Sequence, residues 1–457
     1  MRTVVIGASI AGLLAARALS DSAQSVTLVD RDVPPDAPVP RKGVPQGRHV
    51  HGVLAGGYDV LKSFFPGIVD ELTAEGSRIS DVAQDVLWFS RGAWRLRCKS
   101  GIVGCIQSRP FLEMHIRRRI SKLPNVLQLC GSVVTGFETD ATNSRVTGLH
   151  VSAIGGAEKI LPADLVVDCS GRGSRTPAWL EAAGLGKPST TTVTVNVGYS
   201  TRLFRIPDNR LPDWHAMLIL GKPPDNSRLG ACFFVETGEL QVTLSGEFRD
   251  YPPEDDAGFV EFAGSLEHPQ LFHTVRNATP TTSIVTYRFP AHVWHHYERF
   301  KNLPANLFVL GDALCSFNPI YGQGMTVAAQ EAQVLQRSLT GLSKGADGLA
   351  SLQRRYFSGA SRIVRSAWAV ATGADLVYPQ AEGRRPPGQG AILRYLGHIE
   401  GLCRYDQKVL QAWNQVTNMQ RPLSALFAPS IAARVMRRAV FGSSGASNER
   451  AQTVPSD

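Results

Sequence analysis

"RTVVIGASIAGLLAARALSDSAQSVTLVD", residues 2–30, reads as a strand, a glycine turn, a helix and a second strand. Apolar β-branched runs on both sides of an Ala/Leu-rich segment are typical of a parallel βαβ unit. In the turn, Gly7 permits a tight bend, Ser9 is small enough for a diphosphate to approach, and Gly12 allows close packing of helix on strand. Asp30 ends the second strand, where a carboxylate can accept hydrogen bonds from a ribose. The sequence therefore predicts a dinucleotide-binding domain.

The rest of the chain predicts an α/β domain with an inserted sheet. The segments "ADLVVDCSG" (163–171) and "ANLFVLGD" (305–312) are continuous apolar runs, as buried parallel strands are. A further helix is expected to begin after Ser108, its N-cap, and to bury an apolar stripe at four-residue spacing. Residues 190–290 alternate and are rich in Val, Thr and Phe, which indicates an antiparallel sheet. We expect a Rossmann-like α/β domain, an inserted antiparallel β-sheet and, after about residue 326, a helical C-terminal region.

Composition and charge narrow the possible classes of function. The 457-residue chain has 43% hydrophobic and 19% charged residues, which is ordinary for a soluble enzyme of two or three domains. Its net charge of +9 comes from short basic groups without a nucleic-acid-binding motif, which disfavours nucleic acid as a partner. Seven scattered cysteines indicate neither a disulfide framework nor a zinc site. Without an apolar run long enough to cross a membrane, the sequence predicts a cytoplasmic protein with peripheral membrane contact at most.

Two groups of histidines raise the question of a metal. His49 and His51 form a His-x-His pair within "RKGVPQGRHVHG" (41–52), and a second group lies at residues 292–296. Neither group has a further carboxylate or thiol at metal-ligand spacing, so no metal site is predicted. Gln46 and His49 are instead weak candidates for catalytic residues or for contacts to a bound cofactor.

The segment "FVLGDALCSFNPIYGQGMTVAAQEA", residues 308–332, resembles the second flavin-binding motif of FAD-dependent monooxygenases with the para-hydroxybenzoate hydroxylase fold. The resemblance implies that Asp312 binds the ribityl chain of FAD. It also implies that the backbone of residues 322–325 faces the flavin ring, where N–H groups at a helix start stabilise negative charge. The implied FAD-binding residues are Gly7, Ser9, Ile10, Ala11, Gly12, Asp30, Arg31, Arg41, Val44, Arg48, Arg109, Val133, Val134, Asp312, Pro319, Gly322, Gln323, Gly324 and Met325.

A third motif departs from the pattern of aromatic hydroxylases. Those enzymes carry Asp-Gly-x-x-Ser-x-x-Arg where this chain has "DCSGRGSR" (168–175), with Ser170 at the position of the motif's aspartate. The segment is similar to the form found in flavin epoxidases, halogenases and isoprenoid reductases. NAD(P)H is accordingly expected as the electron source, either directly or through a separate flavin reductase.

Three further segments sharpen the resemblance. "PRKGVPQGRHVHGVLAGG" (40–57), "PPEDDAGFVEFAGSL" (252–266) and "YPQAEGRRPPG" (378–388) resemble bacterial flavin epoxidases of the polyene-to-polyether type, related to squalene epoxidase. This resemblance covers nearly the whole chain and implies that Arg41 contacts the FAD diphosphate. It implies epoxidation of a hydrophobic alkene, a polyketide or isoprenoid natural-product intermediate, by molecular oxygen through a flavin hydroperoxide. Such chemistry needs orientation and a dry pocket more than a strong general base.

Other interpretations stay open. An isoprenoid-type flavin reductase, an aromatic hydroxylase or a ketone-oxidising monooxygenase would carry the same motifs, and a flavin-free lipid escort protein is the alternative that is not an enzyme. A flavin halogenase is less favoured because the chain has no Trp-x-Trp-x-Ile-Pro segment. The segment "IAARVMRRAVF" (431–441), with Ile431, Val435 and Met436 on one side, could contact a membrane or an acidic acyl-carrier domain, or pack on its own domain.

The chain is expected to divide into four structural parts. The predicted FAD-binding domain comprises residues 1–75, 101–187 and 291–345, and the predicted substrate domain comprises residues 76–100 and 188–290. A helical region at 346–441 and a disordered tail at 442–457 complete the prediction.

Overall fold

The computed structural model describes residues 1–153, 155–340 and 346–441. The predicted tail at 442–457 lies outside the described residues, as do residues 341–345.

The strands and helices follow one another in a mixed order. The strands are β1 (Arg2–Ile6), β2 (Ser25–Asp30), β3 (Arg78–Asp81), β4 (Val86–Ser90), β5 (Ala93–Trp94), β6 (Val103–Ile106), β7 (Val126–Cys130), β8 (Ser132–Thr139), β9 (Val146–Ala153), β10 (Glu158–Pro162), β11 (Leu165–Asp168), β12 (Thr190–Arg205), β13 (Ala216–Ile219), β14 (Leu229–Phe234), β15 (Leu240–Gly246), β16 (Thr279–Pro280), β17 (Val285–His295), β18 (Leu307–Val309) and β19 (Cys315–Ser316). The helices are α1 (Ile10–Ser20), α2 (Ala55–Phe64), α3 (Ile68–Ala74), α4 (Arg109–Ile120), α5 (Thr176–Ala182), α6 (Asp256–Gly264), α7 (Gln270–Arg276), α8 (Gly324–Leu339), α9 (Ala346–Asp375), α10 (Gln389–Leu402), α11 (Gln407–Thr417) and α12 (Pro429–Phe441).

A five-stranded parallel sheet with the order β18-β11-β1-β2-β7 carries the glycine turn. Every residue of β11 is buried, as a strand covered on both faces requires. The βαβ unit predicted for residues 2–30 is confirmed by β1, α1 and β2. In a sheet of this kind ligands bind at the carboxyl ends of the strands, which is where the predicted motifs lie.

Helix α4 begins at the predicted N-cap. The hydroxyl of Ser108 accepts a hydrogen bond from the Phe111 N–H at 3.3 Å, which satisfies one of the free donors of the first turn. The predicted stripe of Leu112, Ile116 and Ile120 is buried. The prediction of this helix is therefore confirmed.

A second, nine-stranded sheet has the order β19-β17-β12-β15-β14-β13-β4-β5, with β16 paired to β12. Its pairs are antiparallel except for the parallel pair of β13 and β4, so the predicted inserted antiparallel sheet is confirmed with one parallel neighbour. Strand β17 continues to His295, past the boundary expected at 290, because it pairs with β12 along its length. Helices α6 and α7 pack on one face of this sheet and leave the other face towards the parallel-sheet domain.

The C-terminal region is helical, as predicted. Helix α8 packs on α1, α2 and α9, whereas α10, α11 and α12 share a smaller core. Ile431 and Val435 belong to that core, but Met436 is 65% exposed, so the expectation that Met436 shares their side is wrong. The reason is helical geometry, because Met436 lies about 100° around the helix from Val435. No helix of the described residues is long and apolar enough to cross a membrane.

Candidate functional site

The glycine turn between β1 and α1 leaves no room for a side chain at two of its positions. Gly7 has a φ of +94°, and a Cβ there would lie 2.7 Å from the carbonyl oxygen of Cys169. A Cβ on Gly12 would lie 1.8 Å from the carbonyl oxygen of Gly7. Only glycine fits both positions. The turn leads directly into α1 at Ile10, whose first N–H groups form an anion-binding end.

The Arg41 guanidinium lies against this turn and is held by three carboxylates. Its Nη2 donates to the Ala8 carbonyl at 3.1 Å, and its Nη1 lies 3.1 Å from both Asp30 and Asp32. Its Nε donates to Glu113 at 2.7 Å. Burial would lower the pKa of Arg41, but the neighbouring carboxylates outweigh burial and raise it. Arg41 is therefore a fixed cation beside the turn.

Asp30 is engaged within the protein. It is 8% exposed, and its carboxylate accepts hydrogen bonds from the N–H groups of Ala8 at 2.6 Å and Asp32 at 2.8 Å. The carboxylate thus shapes the turn, and its predicted contact to a ribose stays a prediction.

The remaining basic and valine residues predicted for FAD differ in their exposure. Arg31 and Arg48 are exposed, and the acceptor of Arg31 among the described residues is the Gly43 carbonyl at 3.4 Å. Val133 is 38% exposed, whereas Val134 is buried in the main core. Val44 lies with Arg41 in a narrow cleft beside α4.

Arg109, in the first turn of α4, is the second cation at the site. Its Nη2 donates to the Ser9 hydroxyl at 2.9 Å, and its Nη1 lies 3.4 Å from His51 Nε2. His51 Nδ1 lies 2.9 Å from the His49 carbonyl oxygen, so this nitrogen is the donor and Nε2 is free to accept. Burial lowers the pKa of His51 to about 3, with the Arg109 charge adding to the effect. A neutral imidazole therefore orients Arg109 without repelling it.

Asp312 follows β18 at a turn of the second motif. The turn is made by Gly311, with a φ of +70°, whose N–H donates to Glu331 of α8 at 2.7 Å. No hydrogen bond joins the Asp312 carboxylate to another described residue. Burial raises the pKa of Asp312, and the guanidinium groups of Arg109 and Arg172 partly offset that rise. The carboxylate is thus available to a ligand's hydroxyl groups.

The start of α8 lies beside Asp312. A Cβ on Gly324 would lie 3.6 Å from Asp312 Oδ1, and Gly322 has a φ of +64° after the short helical turn Pro319–Tyr321. Gln323 is 4% exposed, yet its Oε1 has no hydrogen-bond partner among the described residues. The predicted residues of this motif therefore lie close together. The Asp312 carboxylate and Gln323 Oε1 have no hydrogen-bond partner among the described residues.

A cavity of about 160 Å³ lies between the large sheet and this loop. Residues 319–322 of the second motif form part of its lining, as do Gln46 and His49. No acid, lysine or arginine side chain lines the cavity within the described residues. Its apolar wall is formed by Val82, Val86, Trp88, Ile106, Leu218, Leu229, Ala231 and Phe233.

A comparison with known proteins identifies a relative of this chain. Protein Rv3254 of Mycobacterium tuberculosis is 34% identical over 345 residues, which cover 74% of this chain and 72% of that protein. The chain belongs to the Rv3254 family. No model of a protein family matches it.

Solved structures show which fold this Rv3254-family chain shares. The flavin-dependent brominase Bmp2 superposes with a TM-score of 0.66 at 12% identity, covering 96% of this chain and 100% of that chain. The p-nitrophenol 4-monooxygenase PnpA of Pseudomonas putida DLL-E4 superposes with a TM-score of 0.61 at 17% identity, covering 92% and 98%. The fold is therefore that of flavin-dependent monooxygenases, as the sequence predicts, and the brominase shares it.

In this Rv3254-family protein, a mostly buried polar cluster lies behind residues 317–323, the candidate cofactor loop, and was not predicted. Its members are Glu247, His292, Asn318, Tyr321 and Asp375. His292 Nε2 lies 2.5 Å from Asp375, and the Tyr321 hydroxyl donates to the same carboxylate. Asn318 Nδ2 donates to Glu247 at 2.9 Å. Burial raises the pKa of Glu247 well above its usual range, and the charge of Asp375 raises it further. Among the described residues, no group of three or more His, Cys, Asp or Glu side chains could hold a metal ion.

Glu113 is a second residue that the sequence prediction missed. It lies four residues after Arg109 and four before Arg117, and its carboxylate binds Arg117 at 2.6 Å as well as Arg41. This spacing on one helix face is a signal that could have identified it. The polar cluster behind the loop has no such signal, because its members come from distant parts of the chain.

Proposed function

We propose that the protein is an FAD-dependent monooxygenase that epoxidises an alkene of a polyketide or isoprenoid intermediate. The observation that carries the proposal is the apolar cavity directly against the loop of the second flavin motif. A hydrocarbon chain suits this cavity because it gives up no hydrogen bonds to water on entry.

The residues of the two motifs fit FAD. Arg41, Arg109 and the N–H groups at the start of α1 would together hold a diphosphate. Asp312 and Gln323 offer acceptor atoms without partners among the described residues, as ribityl hydroxyls and a flavin ring would need. When bound and reduced, FAD supplies the activation of molecular oxygen.

The chain's own contribution is to orient the substrate and to exclude water. Trp88 and Phe233 cover the cavity on the side of the large sheet, and Gly322 lies on the opposite side. Burial lowers the pKa of His49 to about 4, so this histidine is a weak base. Ring hydroxylation uses a base that removes the proton of a phenol. A base as weak as His49 is poorly suited to that step. The cavity therefore favours addition of oxygen to a double bond.

NAD(P)H is the proposed electron source, directly or through a separate flavin reductase. Asp168, at the start of the third motif, is fully buried and accepts hydrogen bonds from the hydroxyls of Ser170, Ser174 and Thr176 at 2.5–2.7 Å. A carboxylate so occupied is not free to bind a nicotinamide cofactor. This arrangement favours the separate reductase.

The test is oxygen transfer under labelled oxygen. FAD-loaded protein is incubated with a chemical reductant and a linear polyene, and the product is weighed by mass spectrometry. We expect one labelled oxygen at a former double bond. The Asp312→Ala variant is expected to lose FAD and to form no product, whereas Asp21→Ala, at an exposed surface ion pair with Arg17, is the matched control and is expected to behave as wild type.

The alternatives give different products. A gain of two hydrogens without label indicates a reductase, and labelled phenol from an aromatic substrate indicates a hydroxylase. A protein that stays colourless after incubation with FAD indicates an escort function. Any of these results, in place of a labelled epoxide, contradicts the proposal.

A further inference from the structure

One side of the cavity is polar although most of its wall is apolar. Thr243 and Ser245 lie on the cavity-facing side of β15, and His49 lies in the same lining. All three are at most 5% exposed. Ser245 Oγ is buried without a hydrogen-bond partner among the described residues. The His49 ring bonds to a described residue through Nδ1, and no such bond is made through Nε2. Polar atoms of this kind ordinarily receive a partner from water or from a ligand.

A chain of hydrogen bonds links His49 to strands β12 and β15. The Val50 N–H donates to Thr243 Oγ1 at 3.0 Å, and the hydroxyls of Thr243 and Thr201 are 2.6 Å apart at paired positions of β15 and β12. Thr201 Oγ1 lies 2.7 Å from His49 Nδ1.

Two directions are possible for this chain, and each leaves one hydrogen without an acceptor among the described residues. If Thr243 donates to Thr201 and Thr201 donates to His49 Nδ1, that hydrogen is on His49 Nε2. In the opposite direction it is the hydroxyl hydrogen of Thr243. We take the first direction, in which each hydroxyl donates once and accepts once, because the Val50 N–H already donates to Thr243.

The charge of this donor also limits what it can bind. Burial, with a smaller effect from the Arg48 charge, lowers the pKa of His49 to about 4, so the ring is neutral at neutral pH. A carboxylate or phosphate held by a neutral donor would be buried among apolar side chains without a counter-charge, which is costly. A neutral oxygen is the matching acceptor.

We propose that His49 Nε2–H donates a hydrogen bond to a neutral oxygen of the substrate, which is therefore an alkene that also bears a carbonyl, hydroxyl or ether group. The alkene rests on the proposed function, whereas the oxygen contact rests on the cavity alone. Thr201 is a positioning residue that acts through His49. One directional contact in an apolar space fixes which part of a flexible chain faces the cofactor loop.

The test uses three saturated probes of similar shape: cyclohexanone, cyclohexanol and cyclohexane. Their binding to FAD-loaded protein is measured by calorimetry, without reductant and therefore without turnover. In Thr201→Val, Nδ1 loses its donor and the ring is free to carry its hydrogen there, which leaves a lone pair on Nε2. We expect cyclohexanone, a pure acceptor, to bind about fivefold more weakly than to wild type. Cyclohexanol, which can donate to the lone pair, should change less, and cyclohexane not at all.

Two further variants complete the design. His49→Phe should weaken both oxygen-bearing probes by a similar factor and leave cyclohexane unchanged, which also shows that the cavity is intact. Thr192→Val, at an exposed position on the same strand as Thr201, is the matched control and should change none of the three. Nitrogen-15 NMR of labelled histidine should report the Nε2–H tautomer in wild type and its loss in Thr201→Val.

The proposal is overturned if Thr201→Val weakens cyclohexane as much as cyclohexanone. It is also overturned if His49→Phe leaves cyclohexanone binding unchanged, or if wild type binds none of the probes. Failure of the proposed function is a separate result. In that case the polyene gains no labelled oxygen, although the oxygen-bearing probes still bind.

Discussion

Glu331→Gln should change how the stability of the protein depends on pH. Glu331 is fully buried on α8, and burial raises its pKa from 4.5 to about 8. The folded protein therefore binds this proton more tightly than the unfolded chain does. Its stabilising contribution is complete below the unfolded pKa and is lost as pH rises towards the folded pKa. Glutamine cannot ionise, and its amide oxygen can still accept the Gly311 N–H.

The size of the effect follows from the two pKa values. Between pH 5 and 7.5, linkage predicts that wild type loses about 3 kcal/mol of unfolding free energy through this group alone. The free energy of Glu331→Gln relative to wild type should rise by that amount over the same range, whatever the offset at pH 5. Contributions from other titrating groups cancel in the difference.

Urea unfolding at a series of pH values, followed by tryptophan fluorescence and circular dichroism, measures this difference. Glu181→Gln is the control, because its side chain is 57% exposed and pairs with Lys187 at the surface. The unfolding free energy of Glu181→Gln should change with pH in the same way as that of wild type. If the Glu331→Gln curve also runs parallel between pH 5 and 7.5, the reasoning from burial is refuted.

Three other substitutions test separate parts of the structure. Ser108→Ala removes the cap of α4 and the hydrogen bond that the Ser108 hydroxyl donates to Glu236 at 2.6 Å, and should cost at least about 1 kcal/mol of unfolding free energy, measured in urea; no loss would show that both contacts are replaced. Gly12→Ala places a Cβ against the Gly7 carbonyl and should abolish FAD retention, measured by flavin absorbance after desalting, and normal retention would contradict the close packing. Ala231→Trp should fill the cavity and weaken cyclohexane binding at least about tenfold while FAD is retained; unchanged binding would mean that the probe lies elsewhere.

The elements that the sequence predicts correctly are those specified by nearby residues. The βαβ unit, the N-cap at Ser108 and the buried stripe of α4 each follow from spacing within one segment. The inserted sheet was recognised from alternation, but its parallel pair was not, because β4 and β13 are far apart in sequence.

The candidate site could be predicted only in part, for the same reason. Asp312 is predicted from a contiguous motif and stays a prediction, whereas the cavity wall joins Trp88 to Leu218 and Phe233, which no local pattern connects. Asp30 shows a different limit, because a motif gives the position of a carboxylate but not the hydrogen bonds that already occupy it. The substrate wall and the cluster behind the loop emerge only when distant strands and helices meet.

The polar cluster behind the cofactor loop bears on how such a protein can change its substrate. The loop is anchored from the rear by Glu247, His292 and Asp375, whereas Leu229 and Ala231 face the cavity from another strand. Exchanges on that strand can therefore reshape the space for the substrate while the anchorage of the loop stays intact. A scaffold with this separation can evolve new substrate preferences by exchanging wall residues, without having to rebuild the loop of residues 317–323 each time.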